Sequence, residues 1–201
     1  MRQGANTVDS RLVSALAEWP VIASATGIAS AARFVESDAP IGMLAGIGVR
    51  DLERVCRAVV DRRKIAFVNL DSSPGLGHDA GALEFLLDIG APGVCSTRAA
   101  VVERAGTTPM LTMQKVFVTD RSTLQRSLDG VARSSPDLVQ LMPAIVISQM
   151  TAADRKAMTP YVAAGFVTDR AACARSLELG AMGVCSSDPE LWSVRRRSLD
   201  A

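Results

Sequence analysis

Short runs of consecutive apolar residues recur along the chain, separated by stretches in which apolar and polar positions follow helical spacing. Eight runs have strand length: Val21–Ala25, Ile41–Ala45, Ile65–Leu70, Gly93–Cys95, Met110–Val116, Leu138–Met142, Tyr161–Ala163 and Met182–Cys185. Amphipathic segments that read as helices lie between them at 28–36, 50–63, 79–89, 98–104, 122–133, 144–156 and 169–179, and a last one at 189–198 follows the eighth run. The runs are apolar throughout rather than alternating, so both faces of each strand are buried, as in parallel strands covered by helices. About 25 residues per unit, with no long linker, predicts an α/β fold, a compact TIM-like (β/α)8 barrel forming one domain over residues 1–201. Residues 1–18 read as an N-terminal extension or helix and 193–201 as a basic C-terminal tail. A doubly wound open sheet uses the same alternation and is the alternative architecture.

Two internal echoes support the repeating reading. Gly90-Ala-Pro-Gly-Val-Cys-Ser-Thr97 returns as Gly180-Ala-Met-Gly-Val-Cys-Ser-Ser187, which pairs the fourth run with the eighth. Phe117-Val-Thr-Asp-Arg121 returns as Phe166-Val-Thr-Asp-Arg170, each followed by Arg-Ser-Leu. The second echo has a mechanical explanation, because Thr119-Asp120 and Thr168-Asp169 supply N-cap oxygens to the next helix.

Charge changes the picture little. Lys and Arg number 22 against 21 Asp and Glu, a net +1, so no global field draws the chain to nucleic acid or an anionic membrane, and such binding needs a local patch. Eight aromatic residues in the chain argue against a broad base-stacking surface. Cys56, Cys95, Cys173 and Cys185 show no CxxC spacing and there is one histidine, so no metal site is expected and the thiols read as reduced and buried in a cytoplasmic protein. No apolar run approaches transmembrane length, the N-terminus lacks a signal-peptide pattern, and no membrane partner is expected.

In such a barrel the site lies at the carboxyl ends of the strands, and phosphate often rests on backbone N–H groups after strands seven and eight. Gly165 after run seven and Ser186-Ser187 after run eight supply suitable material, although the same residues suit a bare turn and an N-cap, and an inward Asp188 would repel an anion. Asn69 and Asp71, then Ser96, Thr97 and Arg98, then Gln114 and Lys115, and Gln140 fall on the same rim. Lys115 interrupts an apolar strand and needs an anionic partner, either Asp71, a structural salt bridge or a bound phosphate. No GxSxG, Walker or HExxH motif occurs, the single His78 reads as a solvated loop residue, and no general acid and base pair stands out, so no catalytic residue is assigned. Arg62-Arg63-Lys64 and Arg195-Arg196-Arg197 fall on the opposite end, where positive charge at helix C-termini is ordinary and a polyanion patch is the alternative reading.

The run from Trp19-Pro-Val-Ile-Ala23 through Asn69-Leu-Asp71, Pro74-Gly-Leu76, Gly93-Val-Cys-Ser-Thr-Arg98, Met113-Gln-Lys115, Pro136-Asp-Leu-Val-Gln-Leu-Met-Pro143, Ala163-Ala-Gly165 and Val184-Cys-Ser-Ser187 to Glu190-Leu-Trp192 resembles the glycerol-3-phosphate responsive antiterminator family, the GlpP type. The resemblance implies a (β/α)8-like barrel that senses glycerol 3-phosphate, uses no cofactor, and binds leader messenger RNA to carry transcription of glycerol-catabolic genes past a terminator. It implies a regulator rather than an enzyme. Carried over residue by residue, it places ligand contacts at Ser96, Thr97, Gln114, Lys115, Ser186 and Ser187, and the rim adds Asp71, Gln140 and Gly165. RNA contacts would fall to Arg62, Arg63, Lys64, Arg195, Arg196 and Arg197, or to patches joined in a homo-oligomer. The family's Glu is Gln140 here, its His is Asn69 and a Gly is Ala164, departures that would alter or silence ligand choice. A small-phosphate enzyme using Lys115 or Asp71 as acid or base, and a degenerate interaction protein, are the alternatives.

Overall fold

Each apolar run becomes a strand because it has two buried faces to serve, and the eight strands meet that demand by closing on themselves. The computed structural model describes residues 9–199. Strands β1 (Val21–Thr26), β2 (Ile41–Ala45), β3 (Ile65–Asn69), β4 (Gly93–Ser96), β5 (Leu111–Phe117), β6 (Leu138–Met142), β7 (Tyr161–Ala164) and β8 (Gly183–Ser186) are all parallel and pair in chain order, with β8 returning to β1. The open-sheet alternative is thereby excluded. Side chains alternate between two cores. Ile22, Met43, Phe67, Cys95, Met113, Leu138, Val162 and Cys185 point into the lumen. Ala23, Leu44, Val68, Val94, Val139, Leu141, Ala163 and Val184 point outward under the helical layer.

The helices are α1 (Ser10–Glu18), α2 (Gly27–Glu36), α3 (Val49–Asp61), α4 (Ala80–Asp88), α5 (Ala99–Ala105), α6 (Arg121–Ser134), α7 (Ala152–Ala157) and α8 (Arg170–Glu178). The first of these plugs the floor of the barrel: Leu12 and Leu16 are buried with the lumen residues. The rest of the proposed N-terminal extension, 1–8, lies outside the described residues, as do 200 and 201 of the tail. The shared Asp of the second echo caps as its sequence suggests. Asp120 accepts from Thr123 N–H at 2.8 Å and Asp169 from Ala172 N–H at 2.6 Å.

Two expected helices differ. The segment 144–156 divides into a 3₁₀ stretch, Ala144–Gln149, and α7, because Thr151 and Asp154 form a capping box that starts a new helix. The segment 189–198 is two 3₁₀ turns, Pro189–Ser193 and Arg196–Ser198. The buried Trp192 indole donates to Ser186 O at 2.9 Å, fixing the first turn under the barrel wall. Nor is the C-terminus a free basic tail: the Arg196 guanidinium donates to Leu16 O at 3.1 Å and Met182 O at 2.6 Å, tying it to α1 and to the start of β8. No described helix is long and apolar enough to cross a membrane. All four cysteines are free and buried.

Candidate functional site in the barrel mouth

Period-two alternation along the strands decides which polar residues enter the lumen. Leu111 and Met113 of β5 face inward, so Lys115 continues that row at the top. Its register partner on β6 is Gln140, two residues beyond the inward Leu138. Asn69 stands two residues beyond the inward Phe67 on β3. These three side chains form a polar layer above Cys95 and Cys185.

Asn69 and Gln140 are only 4% and 1% exposed, and the carbonyl oxygens Asn69 Oδ1 and Gln140 Oε1 accept no hydrogen bond. Among the described residues no carboxylate lies within ion-pair distance of the half-buried Lys115, although its charge is felt at Cys95, Cys185 and Asp71. Burial pushes both lumenal thiols up to about 12; Lys115 opposes this at both, and a Gln140 hydrogen bond opposes it at Cys185. The thiols are therefore neutral packing groups beneath the polar layer. A cation and two unpaired acceptors thus lie in one layer at the mouth of the barrel.

Asp71 closes one side of that opening. It sits in a 3₁₀ turn, Leu70–Ser72, directly after β3. Its Oδ1 accepts the Ser96 hydroxyl at 2.7 Å and its Oδ2 the Thr97 N–H at 2.6 Å, clamping the β3 turn to the end of β4. Burial alone would raise its pKa. The hydrogen bonds from Ser96 and Thr97, together with the Lys115 charge, outweigh burial and hold the carboxyl below its usual range. His78 Nε2 lies 3.3 Å from Asp71 Oδ1 without a hydrogen bond, so this histidine is half-buried against the clamp rather than the solvated loop residue expected from sequence. Sequence reasoning could not find it, because the pairing closes a loop whose path no local pattern dictates.

The tips of β7 and β8 adjoin, with Ala164 paired to Cys185. Gly165 turns the chain at φ +81°, a conformation that strains any residue with a Cβ. Ser187 is exposed next to it at the end of β8, while Asp188 turns back to accept the Glu190 N–H at 3.0 Å. Ser186 faces the other way. Its hydroxyl donates to Val167 O at 2.7 Å and accepts the Asp188 N–H at 3.2 Å, so it organises the backbone of the tip and is not an open ligand contact.

Gln114 also requires correction. As the neighbour of Lys115 it must point the opposite way, and its amide oxygen accepts the Ser134 hydroxyl of α6 in the outer layer. Of the sequence-derived contacts, Lys115 and Gln140 are register partners in the mouth, and Gly165 and Ser187 follow the adjoining tips of β7 and β8. Asp71, Ser96 and Thr97 bond one another at its edge, and Gln114 and Ser186 serve the wall.

The two basic clusters are at the floor and are largely occupied. Arg62 pairs with Glu36 at 2.8 Å. The Lys64 ammonium donates to the carbonyls of Phe34, Ser37 and Ala39 at 2.8, 2.5 and 3.0 Å, capping the end of α2, and burial lowers its pKa. Arg195 pairs with Glu18 and stacks 3.8 Å from the Trp19 ring. With Arg196 bound to carbonyls, only Arg63 and Arg197 of the six carry no such contact, so this face is a poor polyanion surface.

A family model described as "Glycerol-3-phosphate responsive antiterminator" matches residues 21–192. Over 190 residues the chain is 23% identical to the uncharacterized protein YgcP of Escherichia coli, covering 94% of this chain and 99% of that one. A glycerol uptake operon antiterminator regulatory protein from Listeria monocytogenes superposes with a TM-score of 0.79 at 24% identity, covering 86% of this chain and 94% of the other. A glycerol uptake operon antiterminator-related protein from Thermotoga maritima gives 0.77 at 20% identity, covering 88% and 99%. The structural likenesses establish a shared barrel. Because the family match runs from the first residue of β1 to the indole that anchors the turn after β8, the chain belongs to the glycerol-3-phosphate responsive antiterminator family.

Proposed function

We propose that this protein is a cytoplasmic sensor that binds glycerol 3-phosphate in the barrel mouth and, so loaded, binds leader messenger RNA to carry transcription of glycerol-catabolic genes past a terminator. The observation that carries this reading is the pair of buried acceptors, Asn69 Oδ1 and Gln140 Oε1, left without donors on either side of an unpaired Lys115. A buried acceptor without a donor costs about 1–3 kcal/mol, so a ligand that brings hydroxyl hydrogens recovers that cost twice while its anionic end meets the ammonium. Glycerol 3-phosphate has both parts. Its phosphate lies by Lys115, Ser187 and the backbone at Gly165, and its hydroxyls donate to Asn69 and Gln140. Gln140 here accepts where the resembled family's Glu would carry charge, so the net positive balance around Lys115 favours a dianionic ligand. RNA recognition rests on family membership.

The test is a melting experiment with glycerol 3-phosphate, inorganic phosphate and glycerol as separate ligands. Glycerol 3-phosphate at 100-fold over its Kd adds about 2.7 kcal/mol of stability. For a chain of this size that is a rise in Tm of roughly 5–10 °C, with little change from phosphate or glycerol. No shift with glycerol 3-phosphate overturns the ligand assignment. Phosphorus NMR on the same mixtures tests the regulator reading, since conversion of the ligand to a new phosphorus species means an enzyme.

A further inference from the structure

The occupied floor leaves the question of where a polyanion would lie, and the answer comes from cations without partners. A groove of about 390 Å³ runs between β5 and α6, with Gln114 to Phe117 along one side and Thr123, Arg126, Gly130 and Arg133 on the other. Arg126 and Arg133 are exposed and make no ion pair or hydrogen bond with any described residue. Asp129 lies between them in sequence, yet its carboxylate accepts the Gln125 amide at 2.9 Å instead. Arg133, in the last turn of α6, suits the helix dipole, but Arg126 is mid-helix and has no such use. Seven residues separate the two, placing them about 10 Å apart along one face of the helix.

At the mouth end of the groove Phe117 is 51% exposed, an uncommon placement for an aromatic ring in a chain with so few. Gly130 keeps the groove open; a Cβ there would stand 3.3 Å from the Gln114 amide nitrogen.

We propose that this β5–α6 groove, through Arg126, Arg133 and the Phe117 ring, binds single-stranded RNA. The inference rests on the RNA-regulator reading above and gives it a surface. Two spaced guanidinium groups can contact separate phosphates of one strand, and an exposed ring offers a stacking platform for a base that an acidic peptide could not use. The groove also shares β5 with the ligand mouth: Lys115, in the lumenal row of that strand, borders the groove together with its neighbour Gln114. Ligand and RNA thus meet along one strand.

The probe is a fluorescently labelled pool of random single-stranded RNA 30-mers, titrated with the full chain in saturating glycerol 3-phosphate. The variants are Arg126→Gln/Arg133→Gln, Phe117→Ala, and Arg62→Gln/Arg63→Gln/Arg197→Gln on the floor. The double arginine variant is expected to weaken RNA binding at least tenfold and to reduce the slope of log affinity against log salt by about 0.7 per arginine. Phe117→Ala should weaken it about tenfold at unchanged salt slope, the floor variant should bind as wild type, and every variant should keep the glycerol 3-phosphate melting shift. Wild-type affinity in both groove variants, or loss confined to the floor variant, overturns this surface and leaves the sensor reading standing. Polyglutamate binding as tight as RNA overturns the nucleic-acid assignment. A wild-type chain that binds no RNA with or without glycerol 3-phosphate overturns both.

Discussion

At Lys115, Asn69 and Gln140 the proposed ligand binding and the stability of the empty protein pull in opposite directions. An amide whose oxygen is buried without a donor destabilises the empty protein, so replacing it by an apolar residue of similar size relieves that cost. Gln140→Leu should melt at or above the wild-type temperature without ligand, yet lose most of the glycerol 3-phosphate shift. Lys115→Met should behave alike, with affinity reduced about 100-fold by loss of a charge-assisted contact. Calorimetric binding beside the melts checks both, and a Gln140→Leu chain that binds as tightly as wild type removes this amide from the site. Asp71 is the contrasting case, since its groups are satisfied within the protein. Its folded pKa is depressed, so the stability it contributes is complete above the ordinary carboxylate value of about 3.9 and disappears as pH falls through the lower folded value. Asp71→Asn should therefore cost about 1–2 kcal/mol near neutrality. Urea denaturation at descending pH should show that gap narrowing below about pH 5; a gap that widens on acidification means the carboxylate is not held ionised by this clamp.

At the level of strands and helices, the echo Gly-Ala-x-Gly-Val-Cys-Ser has a common structural logic. Gly93 and Gly183 open their strands where a neighbouring backbone passes close: a Cβ on Gly93 would stand 2.9 Å from Leu111 O and one on Gly183 2.5 Å from Pro20 O. Carbonyls on paired strands cannot move aside, so Gly183→Ala should lose about 1–3 kcal/mol by overpacking, read as a lower denaturation midpoint at unchanged m-value. A fully stable Gly183→Ala would mean that β1 and β8 can separate without penalty. The serines that end the echo also match, each accepting the N–H two residues on, from Arg98 and from Asp188. They diverge in what they donate to, Asp71 in one case and Val167 O in the other. Strand positions were readable because burial on two faces leaves continuous apolar runs, and period two places Lys115 and Gln140 inside once Met113 and Leu138 are known to face the lumen. The same rule, applied strictly, sends Gln114 outward; treating the Gln-Lys pair as one motif obscured it. What local pattern could not reveal were contacts made by closure of the chain, such as His78 against Asp71 and Arg196 against the α1 carbonyl, or the break at Met150 that separates a 3₁₀ stretch from α7.

For the molecule as a whole, a net charge of +1 limits what electrostatics can contribute. On the proposed reading, few phosphate contacts mean a shallow salt dependence, so base stacking and the ligand-bound state, rather than bulk charge, supply RNA affinity. A sensor of this kind obeys reciprocity: the factor by which glycerol 3-phosphate raises RNA affinity equals the factor by which RNA raises glycerol 3-phosphate affinity, typically 5–150-fold. The shortest physical route for that coupling is β5, where Lys115 in the mouth adjoins Gln114, and Gln114 accepts the Ser134 hydroxyl near the end of α6. A ligand that draws on Lys115 can reach α6 through that outer hydrogen bond, which ties β5 to α6 beside the packing between them. Ser134→Ala removes the donor and leaves a buried amide oxygen unpaired, which should cost about 1–3 kcal/mol of stability. Each ligand should still bind on its own with near wild-type affinity, since Ser134 touches neither site, while the mutual enhancement should fall several-fold. Titrating glycerol 3-phosphate with and without saturating RNA, and RNA with and without saturating glycerol 3-phosphate, measures the factor twice. Full coupling retained in Ser134→Ala would place the route elsewhere in the barrel, and equal loss of both binary affinities would mark Ser134 as a folding residue with no part in communication.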